Sequence, residues 1–333
     1  MLTITTLATL FVAGLAFCVA SIVYVYRYRG TLRYAGFGEY VRKGWPIFSP
    51  LNCLLYLATD RKAKRPIMDV DDFPDLQPLR DNWEVIREEA LQLYQQGTFD
   101  RTNDPDNKAY YDIGFRTFFK YGWSKFYLKW YGYTHASARE LCPRTVELVG
   151  RTKSVNGAMF SILPPGSKLT RHLDPVACSL RFHLGLSTPN DDRCFINVDD
   201  QIYSWRDGEA LLFDETYLHH AHNDAEEPRL ILMCDVERPM SLWGRFVNFF
   251  NKLALRMSVV PNTEADRRGL ANALFSTLAP LLARSKALKQ RNKALYRLVK
   301  WSVNLSLAFI VLALVGGGLY GVYRLIDWAL TAG

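Results

Sequence analysis

The sequence has few of the residues that build zinc sites or disulfides, with six cysteines and six histidines among 333 residues. The cysteines form no C-x-x-C pair and no zinc spacing, so reduced thiols in a cytosolic domain are the simplest interpretation. There is no internal repeat, no low-complexity tract, no nucleic-acid recognition motif and no Ser-His-Asp or paired-carboxylate set. The net charge of +8 does not by itself indicate a partner, since a membrane surface, a nucleic acid or a phosphorylated substrate would each fit it. The positions of the basic residues along the chain are needed to choose among them.

Charge is also missing near both ends of the chain. Met1–Tyr26 and Ser302–Tyr323 contain no charged side chain, and basic residues follow the first stretch and precede the second. About 20 mainly apolar residues can span a bilayer, so the sequence predicts transmembrane helices at residues 1–27 and 302–324. The alternatives are buried core helices and, for the first stretch, a cleaved signal peptide, which would carry positive charge before the apolar run. The positive-inside rule predicts that the region between the two helices is cytoplasmic.

The region between these stretches divides into three segments by composition. Residues 28–68 are basic and aromatic, and we expect a juxtamembrane and interfacial segment, because its apolar patch Leu51–Thr59 is too short to span a bilayer. Residues 69–240 form the predicted globular domain. Residues 241–301 are predicted to form one or two basic amphipathic helices, broken near Pro261.

Within the predicted domain, short β-rich runs alternate with turn signals over about residues 146–238. This pattern predicts a mainly β core, an antiparallel barrel or jelly roll. Asn82–Gly97 precedes the core and carries apolar residues at helical spacing, so the domain is expected to be braced by helices.

Three residues of the predicted core have the pattern of a metal site. Residues two apart in a strand point to the same side, so His172 and Asp174 point together. The strand-like run Glu209–His222 supplies His219. Two histidines and one carboxylate form the facial triad of non-haem Fe(II) oxygenases. A lone H-x-D is common by chance, and its alternative is a surface turn or a hydrogen-bonded pair.

Four more polar residues favour the metal site over that alternative. Arg229 is the second residue of the apolar run Pro228–Val236. An arginine buried at the start of a strand needs a carboxylate partner, which a ligand can supply. Arg181 and His183 share one side of another strand, and Ser161 precedes the H-x-D pair. The set predicts a pocket for a small dicarboxylate beside the metal.

Six blocks follow one another between residues 121 and 239: "YGWSKFYL", "CPRTVELV", "FSILPPGSKLTRHLDP", "SLRFHLGLSTPNDD", "WRDGEALLFDETYLHHAHND" and "PRLILMCDVERP". Together they resemble the aspartyl/asparaginyl β-hydroxylase family, and with the apolar ends the chain resembles its bacterial lipid A acyl-chain 2-hydroxylases. The resemblance implies an Fe(II)- and 2-oxoglutarate-dependent dioxygenase on a double-stranded β-helix fold. It also implies a bacterial inner-membrane location with a cytoplasmic catalytic domain.

The resemblance assigns the metal ligands residue by residue. His172 and His219 match the two iron-binding histidines of the family. Asp174 departs from the animal protein hydroxylases, which have glycine at this position, and the departure favours the bacterial lipid branch. His220 and His222 are neighbours of His219 and are expected not to bind the metal.

The resemblance also assigns the co-substrate pocket. Arg229 and Ser161 match the residues that hold the distal carboxylate of 2-oxoglutarate, and Arg181 and His183 match those near its metal-chelating end. Trp123 matches a tryptophan near the pocket. In such enzymes 2-oxoglutarate and dioxygen yield succinate and carbon dioxide while the substrate is hydroxylated.

Three functions remain open from the sequence. The first is hydroxylation of lipid A at C2 of an acyl chain, with the membrane bilayer as a partner; the second is aspartyl/asparaginyl hydroxylation of a protein or peptide by a membrane-tethered enzyme. The third is a jelly-roll module that binds a lipid or a carboxylate without turnover. No nucleic-acid partner is expected, and the sequence does not indicate an oligomeric state.

The alternation in "SLRFHLGL" makes a structural prediction. If Arg181 and His183 face the pocket, the apolar side chains Leu180, Phe182, Leu184 and Leu186 face the other side of the sheet. Because exposing them to water is costly, we expect helix Asn82–Gly97 to cover them.

Overall fold

A computed structural model describes residues 4–101, 104, 110, 112, 122–302, 305, 306 and 324. The chain divides into two compact units, Met1–Phe275 and Ser276–Gly333. The strands and the candidate sites all lie in the first unit, and the described part of the second unit is mainly helical.

Helices lie on both sides of the β-rich region in the chain. The described α-helices are α1 (Ile4–Arg27), α2 (Phe37–Lys43), α3 (Ser49–Ala58), α4 (Gln77–Asp81), α5 (Trp83–Gln95), α6 (Thr98–Arg101), α7 (Ala136–Leu141), α8 (Pro143–Arg151), α9 (Leu242–Arg256) and α10 (Leu270–Arg291). The predicted break near Pro261 falls between the last two.

The strands follow one another closely between the helices. They are β1 (Ile67–Met68), β2 (Ser124–Trp130), β3 (Tyr133–Thr134), β4 (Val155–Leu163), β5 (Ser167–His172), β6 (Ser179–Ser187), β7 (Cys194–Val198), β8 (Gln201–Ser204), β9 (Ala210–Phe213), β10 (His219–Asn223) and β11 (Arg229–Glu237).

The strands form two antiparallel sheets. The larger has the order β1-β9-β6-β11-β4-β2-β3, and the smaller has the order β5-β10-β7-β8. From β4 onward the chain crosses to the other sheet after every strand except β7, so that β4, β6, β9 and β11 lie in one layer and β5, β7, β8 and β10 in the other. This arrangement is a jelly roll, and the predicted mainly β core braced by helices is confirmed. The predicted segment boundaries stay predictions.

Helix α5 packs on the outer face of the larger sheet, as predicted. Its Ile86, Ala90 and Leu93 belong to one buried cluster together with Phe182 and the other apolar side chains of β6. Tyr94 near the end of the same helix is 46% exposed and lies outside this cluster. The apolar face of β6 is thereby removed from water, and its other face is left for the site.

A glycine is required in β6 where another part of the backbone approaches. A Cβ atom on Gly185 would lie 1.9 Å from the carbonyl oxygen of Arg206. The contact cannot be relieved by turning a side chain, because the opposing atom belongs to the backbone. Gly185 allows the segment that follows β8 to pass close to the larger sheet.

We expect Gly185→Ala to lower the free energy of unfolding by about 1–3 kcal/mol, because overpacking displaces backbone. The matched control is Gly150→Ala in α8, where an added Cβ meets no atom within 4 Å. That change should be neutral or stabilising by up to about 1 kcal/mol, since alanine favours a helix. Urea unfolding of both variants would check this, and equal stabilities would contradict the role of Gly185.

The prediction of two membrane-spanning helices in an inner membrane is corrected by the structure. Among the described residues, no helix is both long enough and apolar enough to cross a bilayer. The prediction is therefore wrong for this part of the chain; most of Ser302–Tyr323 lies outside it. The C-terminal part of α1 packs on protein: Val25 is buried, and Ile22 and Tyr26 contact the same cluster. The uncharged run thus reflects burial for part of its length.

Candidate metal centre

The smaller sheet brings three predicted ligands together at one of its ends. Strands β5 and β10 are antiparallel neighbours, and His219 lies opposite His172 in their register. The two imidazole centroids are 4.2 Å apart. Asp174 follows β5, and its Oδ1 lies 3.7 Å from Nε2 of His172. One potential ligand atom from each residue lies within 4.8 Å of the others, as a shared metal ion requires.

Backbone carbonyls fix the orientation of both imidazoles. Nδ1 of His172 lies 2.9 Å from the carbonyl oxygen of Thr170, and Nδ1 of His219 lies 2.9 Å from that of Tyr217. A carbonyl can only accept, so each Nδ1 donates and each Nε2 keeps its lone pair for a metal. Burial lowers the pKa of His172 to about 4 and that of His219 to about 3. Both rings are thus neutral at neutral pH, and the donor set fits Fe(II).

Asp174 is held in place by Arg181, whose side chain is 14% exposed. Nη2 of Arg181 donates to Oδ2 of Asp174 at 3.0 Å, and Nε of Arg181 donates to Oε2 of Glu215 at 2.7 Å. Nη1 of Arg181 forms an ion pair with Oδ1 of Asp235 at 3.2 Å. Arg181 faces the cavity, as the alternation predicted, but three carboxylates surround its guanidinium. Its predicted contact with a co-substrate stays a prediction.

Arg181 and the carboxyl groups around it differ in the direction and cause of their pKa shifts. Burial raises the pKa of Glu215 to about 7 and that of Asp235 to about 6, although Arg181 opposes both shifts. Burial would lower the pKa of Arg181, but the surrounding carboxylates outweigh it and raise that pKa. Arg181 is therefore charged throughout the physiological range, whereas Glu215 titrates within it. The result is a fixed cation behind Asp174.

Arg229 is a buried cation with no carboxylate partner among the described residues. It begins β11 and is 1% exposed, and its Nη2 lies 3.4 Å from Oγ of Ser161. Its guanidinium lies 5.2 Å from the ring centroid of Trp123 and 4.4 Å from that of Trp205. Burial lowers the pKa of Arg229 to about 10, so it stays charged at neutral pH. A buried charge of this kind is costly unless an anion pairs with it.

His183 lines the same cavity as this arginine and the metal cluster. Nε1 of Trp205 lies 3.4 Å from its Nδ1, and its buried Nε2 has no described hydrogen-bond partner. Burial, together with the positive charges of Arg229 and Arg181, lowers the pKa of His183 well below its usual value. His183 is therefore a neutral polar group in the cavity.

One cavity of about 680 Å³ joins these groups. All eight predicted site residues except Ser161 line it, and Ser161 is reached through its hydrogen bond to Arg229. His220 and His222 alternate with His219 along β10 and lie on its more exposed face. His135 bonds through Nε2 to the carbonyl oxygen of Val260 at 2.8 Å, away from the cavity.

Sequence reasoning missed three residues of the site: Glu215, Asp235 and Trp205. One signal was available for Asp235, because it is an acidic residue in an apolar strand, six residues from Arg229 and therefore on the same face. Glu215 lies beyond the end of β9, where strand alternation gives no direction. For Trp205 no spacing rule indicates contact with Arg229.

The sequence model of the aspartyl/asparaginyl β-hydroxylase family matches residues 80–239. The resemblance seen in the six sequence blocks is therefore confirmed for these residues. The match includes the triad and Arg229, and the domain is the jelly roll described above.

Two curated proteins illustrate the family relationship. The chain is 32% identical over 189 residues to ornithine lipid ester-linked acyl 2-hydroxylase of Rhizobium tropici, covering 55% of this chain and 64% of that protein. It is 30% identical over 168 residues to aspartyl/asparaginyl β-hydroxylase of Mus musculus, covering 48% of this chain and 21% of that protein. The chain thus spans less than two thirds of either relative.

Solved structures with a similar arrangement include a prolyl-4-hydroxylase from Pseudomonas putida. The two chains are 17% identical, the match covers 48% of this chain and 88% of the prolyl-4-hydroxylase chain, and the TM-score is 0.32.

Proposed function

We propose that this protein is an Fe(II)- and 2-oxoglutarate-dependent dioxygenase that hydroxylates C2 of an ester-linked acyl chain, with lipid A as the substrate. The observation that carries the proposal is the pairing of an open His-Asp-His cluster with a buried, unpaired arginine in one cavity. A bound metal ion alone does not require a buried arginine. A dicarboxylate co-substrate bound beside the metal does, because its distal carboxylate needs a positively charged partner.

Each residue has a defined task in this proposal. His172, Asp174 and His219 would hold Fe(II), and Arg229 with Ser161 would bind the distal carboxylate of 2-oxoglutarate. Fe(II), 2-oxoglutarate and dioxygen supply the oxidant for a C–H bond, which no side chain provides. Arg181 keeps Asp174 oriented toward the histidines. The buried walls of the cavity exclude water from the reacting carbon.

The lipid substrate is supported by the relative from Rhizobium tropici, whose name states an acyl 2-hydroxylase, and by the cavity itself. Val176 and Leu255 add apolar surface to its wall, and Arg42 and Lys43 lie at its rim. An acyl chain with an anionic headgroup matches this combination of apolar wall and basic rim. Asp174 also supports the lipid branch, because the resemblance gives glycine there to the animal protein hydroxylases.

A protein or peptide substrate is the second candidate, and the similarity to the Mus musculus enzyme favours it. Mass spectrometry of lipids from cells with and without the protein separates the two. A protein-dependent gain of one oxygen atom in an acyl chain of lipid A supports the lipid reaction. Unchanged lipids together with hydroxylated aspartate or asparagine peptides support the other. If the protein with Fe(II) and 2-oxoglutarate releases no succinate when no lipid or peptide is added, a binding module without turnover is favoured.

We expect Arg229→Ala to raise the 2-oxoglutarate concentration needed for half-maximal turnover by about 10- to 100-fold, because a hydrogen-bonded charge partner is lost. Arg229→Lys should also be impaired, since an ammonium cannot form the bidentate contact of a guanidinium. The measurement is succinate formation against 2-oxoglutarate concentration at fixed lipid. Arg193→Ala, which removes an exposed arginine, is the control. Unchanged 2-oxoglutarate dependence in Arg229→Ala would move the anion site elsewhere.

A further inference from the structure

A second cavity, of about 450 Å³, lies between α1, α3 and the segment that joins β9 to β10. It shares no lining residue with the metal cavity. Its volume falls in the range of small-molecule sites, roughly 300–1,000 Å³. Its lining divides into a basic, aromatic part and an apolar part.

Arg29 is the central feature of the basic part. Its side chain is 8% exposed, and its guanidinium lies 3.5 Å from the ring centroid of Tyr56 and 4.0 Å from that of Tyr217. Nη2 donates to Oδ2 of Asp214 at 2.7 Å and to Oγ1 of Thr216 at 3.0 Å. Nε is buried without an acceptor, and the structure describes no hydrogen bond from Nη1. Arg29 is thus held rigidly with donors to spare.

Asp214 does not neutralise this part of the cavity. Arg238 donates to both its carboxylate oxygens, at 2.6 and 2.9 Å. Burial opposes ionisation of Asp214, but Arg238 and Arg29 outweigh it and lower its pKa well below the usual value. Two arginines and one carboxylate leave one positive charge. Lys64 adds another at the exposed edge, and no carboxylate pairs with it in the described part of the chain.

The apolar part of the cavity extends along the two helices. Phe17 and Ala20 contribute from α1, and Leu57 contributes from α3. Phe17 is 41% exposed and Leu57 78% exposed. An apolar surface beside a rigid cation matches a molecule with an alkyl chain and an anionic head.

We propose that this cavity binds an anionic amphiphile, with its phosphate or carboxylate head at Arg29 and Lys64 and its alkyl chain along Phe17, Ala20 and Leu57. The site is separate from the metal cavity, although Asp214 and Glu215 are consecutive in the chain and face the two cavities. The inference does not rest on the proposed reaction, because it requires neither Fe(II) nor turnover.

The test is isothermal titration of the full-length, metal-free protein with monomeric dodecyl phosphate. A saturable binding component that depends on Arg29 is expected. Arg29→Gln should weaken binding by about tenfold or more, since hydrogen bonds to charged groups are the strong ones. Lys64→Gln should weaken it by about two- to fivefold, because its charge is exposed. Ala20→Phe fills the apolar part without removing a polar contact and should weaken binding by about tenfold. Arg27→Gln, on the exposed last turn of α1, is the matched control and should bind as the wild type does.

Two further ligands test the chemistry. Inorganic phosphate and dodecyl maltoside should each bind much more weakly than dodecyl phosphate. Equal binding of inorganic phosphate would overturn the role of the chain, and equal binding of dodecyl maltoside would overturn that of the charge. Wild-type affinity in both Arg29→Gln and Ala20→Phe would place the amphiphile elsewhere and reject the site. If Arg29→Gln does not fold, Lys64→Gln and Ala20→Phe still decide the outcome.

Discussion

Replacing His219 with alanine is expected to lower the affinity for Fe(II) by at least about 100-fold and to abolish turnover. Even partners of metal ligands contribute 10- to 100-fold to metal affinity, so loss of a ligand should cost no less. His219 is 4% exposed, and its Nε2 is oriented by the bond from Nδ1 to Tyr217. Neither neighbouring histidine can replace it, because His220 and His222 lie on the other face of β10. Anaerobic titration with Fe(II) measures the effect.

His222→Ala is the matched control, since it removes the same side chain from the same strand. Its ring stacks on Phe195 with centroids 5.5 Å apart, away from the cluster. Fe(II) affinity close to that of the wild type is expected. If His222→Ala loses iron and His219→Ala keeps it, the assignment of ligands along β10 is reversed.

Phe182→Asp is expected to prevent folding of the jelly roll. Phe182 is fully buried between β6 and α5. The change loses roughly 3–5 kcal/mol of apolar contact and adds the cost of a buried carboxylate without a partner. The sum approaches the whole stability of a typical domain, about 5–15 kcal/mol. Circular dichroism and thermal unfolding would show the loss of cooperative structure.

Two comparisons show whether the effect comes from burial. Ile202→Asp introduces the same charge on β8, where the side chain is 67% exposed, and should leave the unfolding temperature nearly unchanged. His183→Ala changes the adjacent position of β6 on the cavity side, and we expect a folded protein with impaired turnover. A folded Phe182→Asp variant would show that α5 does not depend on this face of β6.

The sequence was sufficient for features that repeat over a few residues. The alternation in β6 correctly separated Arg181 and His183 from Phe182, because a strand turns successive side chains to opposite faces whatever surrounds it. Helical spacing likewise identified α5 as the cover of that face. The H-x-D pair and the distant His219 were found because each is close in sequence to a recognisable strand.

Tertiary structure decided what depends on which surfaces meet. The uncharged run of α1 looks the same in a sequence whether lipid or protein covers it, and only the fold shows Val25 packed on protein. The register of β6 with β11 and the turn after β9 place Asp235 and Glu215 beside Arg181, and the sequence did not predict this network. The second cavity arises where Arg29 and Asp214 meet across 185 positions of the chain. No local periodicity records such a contact, because burial and charge pairing act through space and not along the chain.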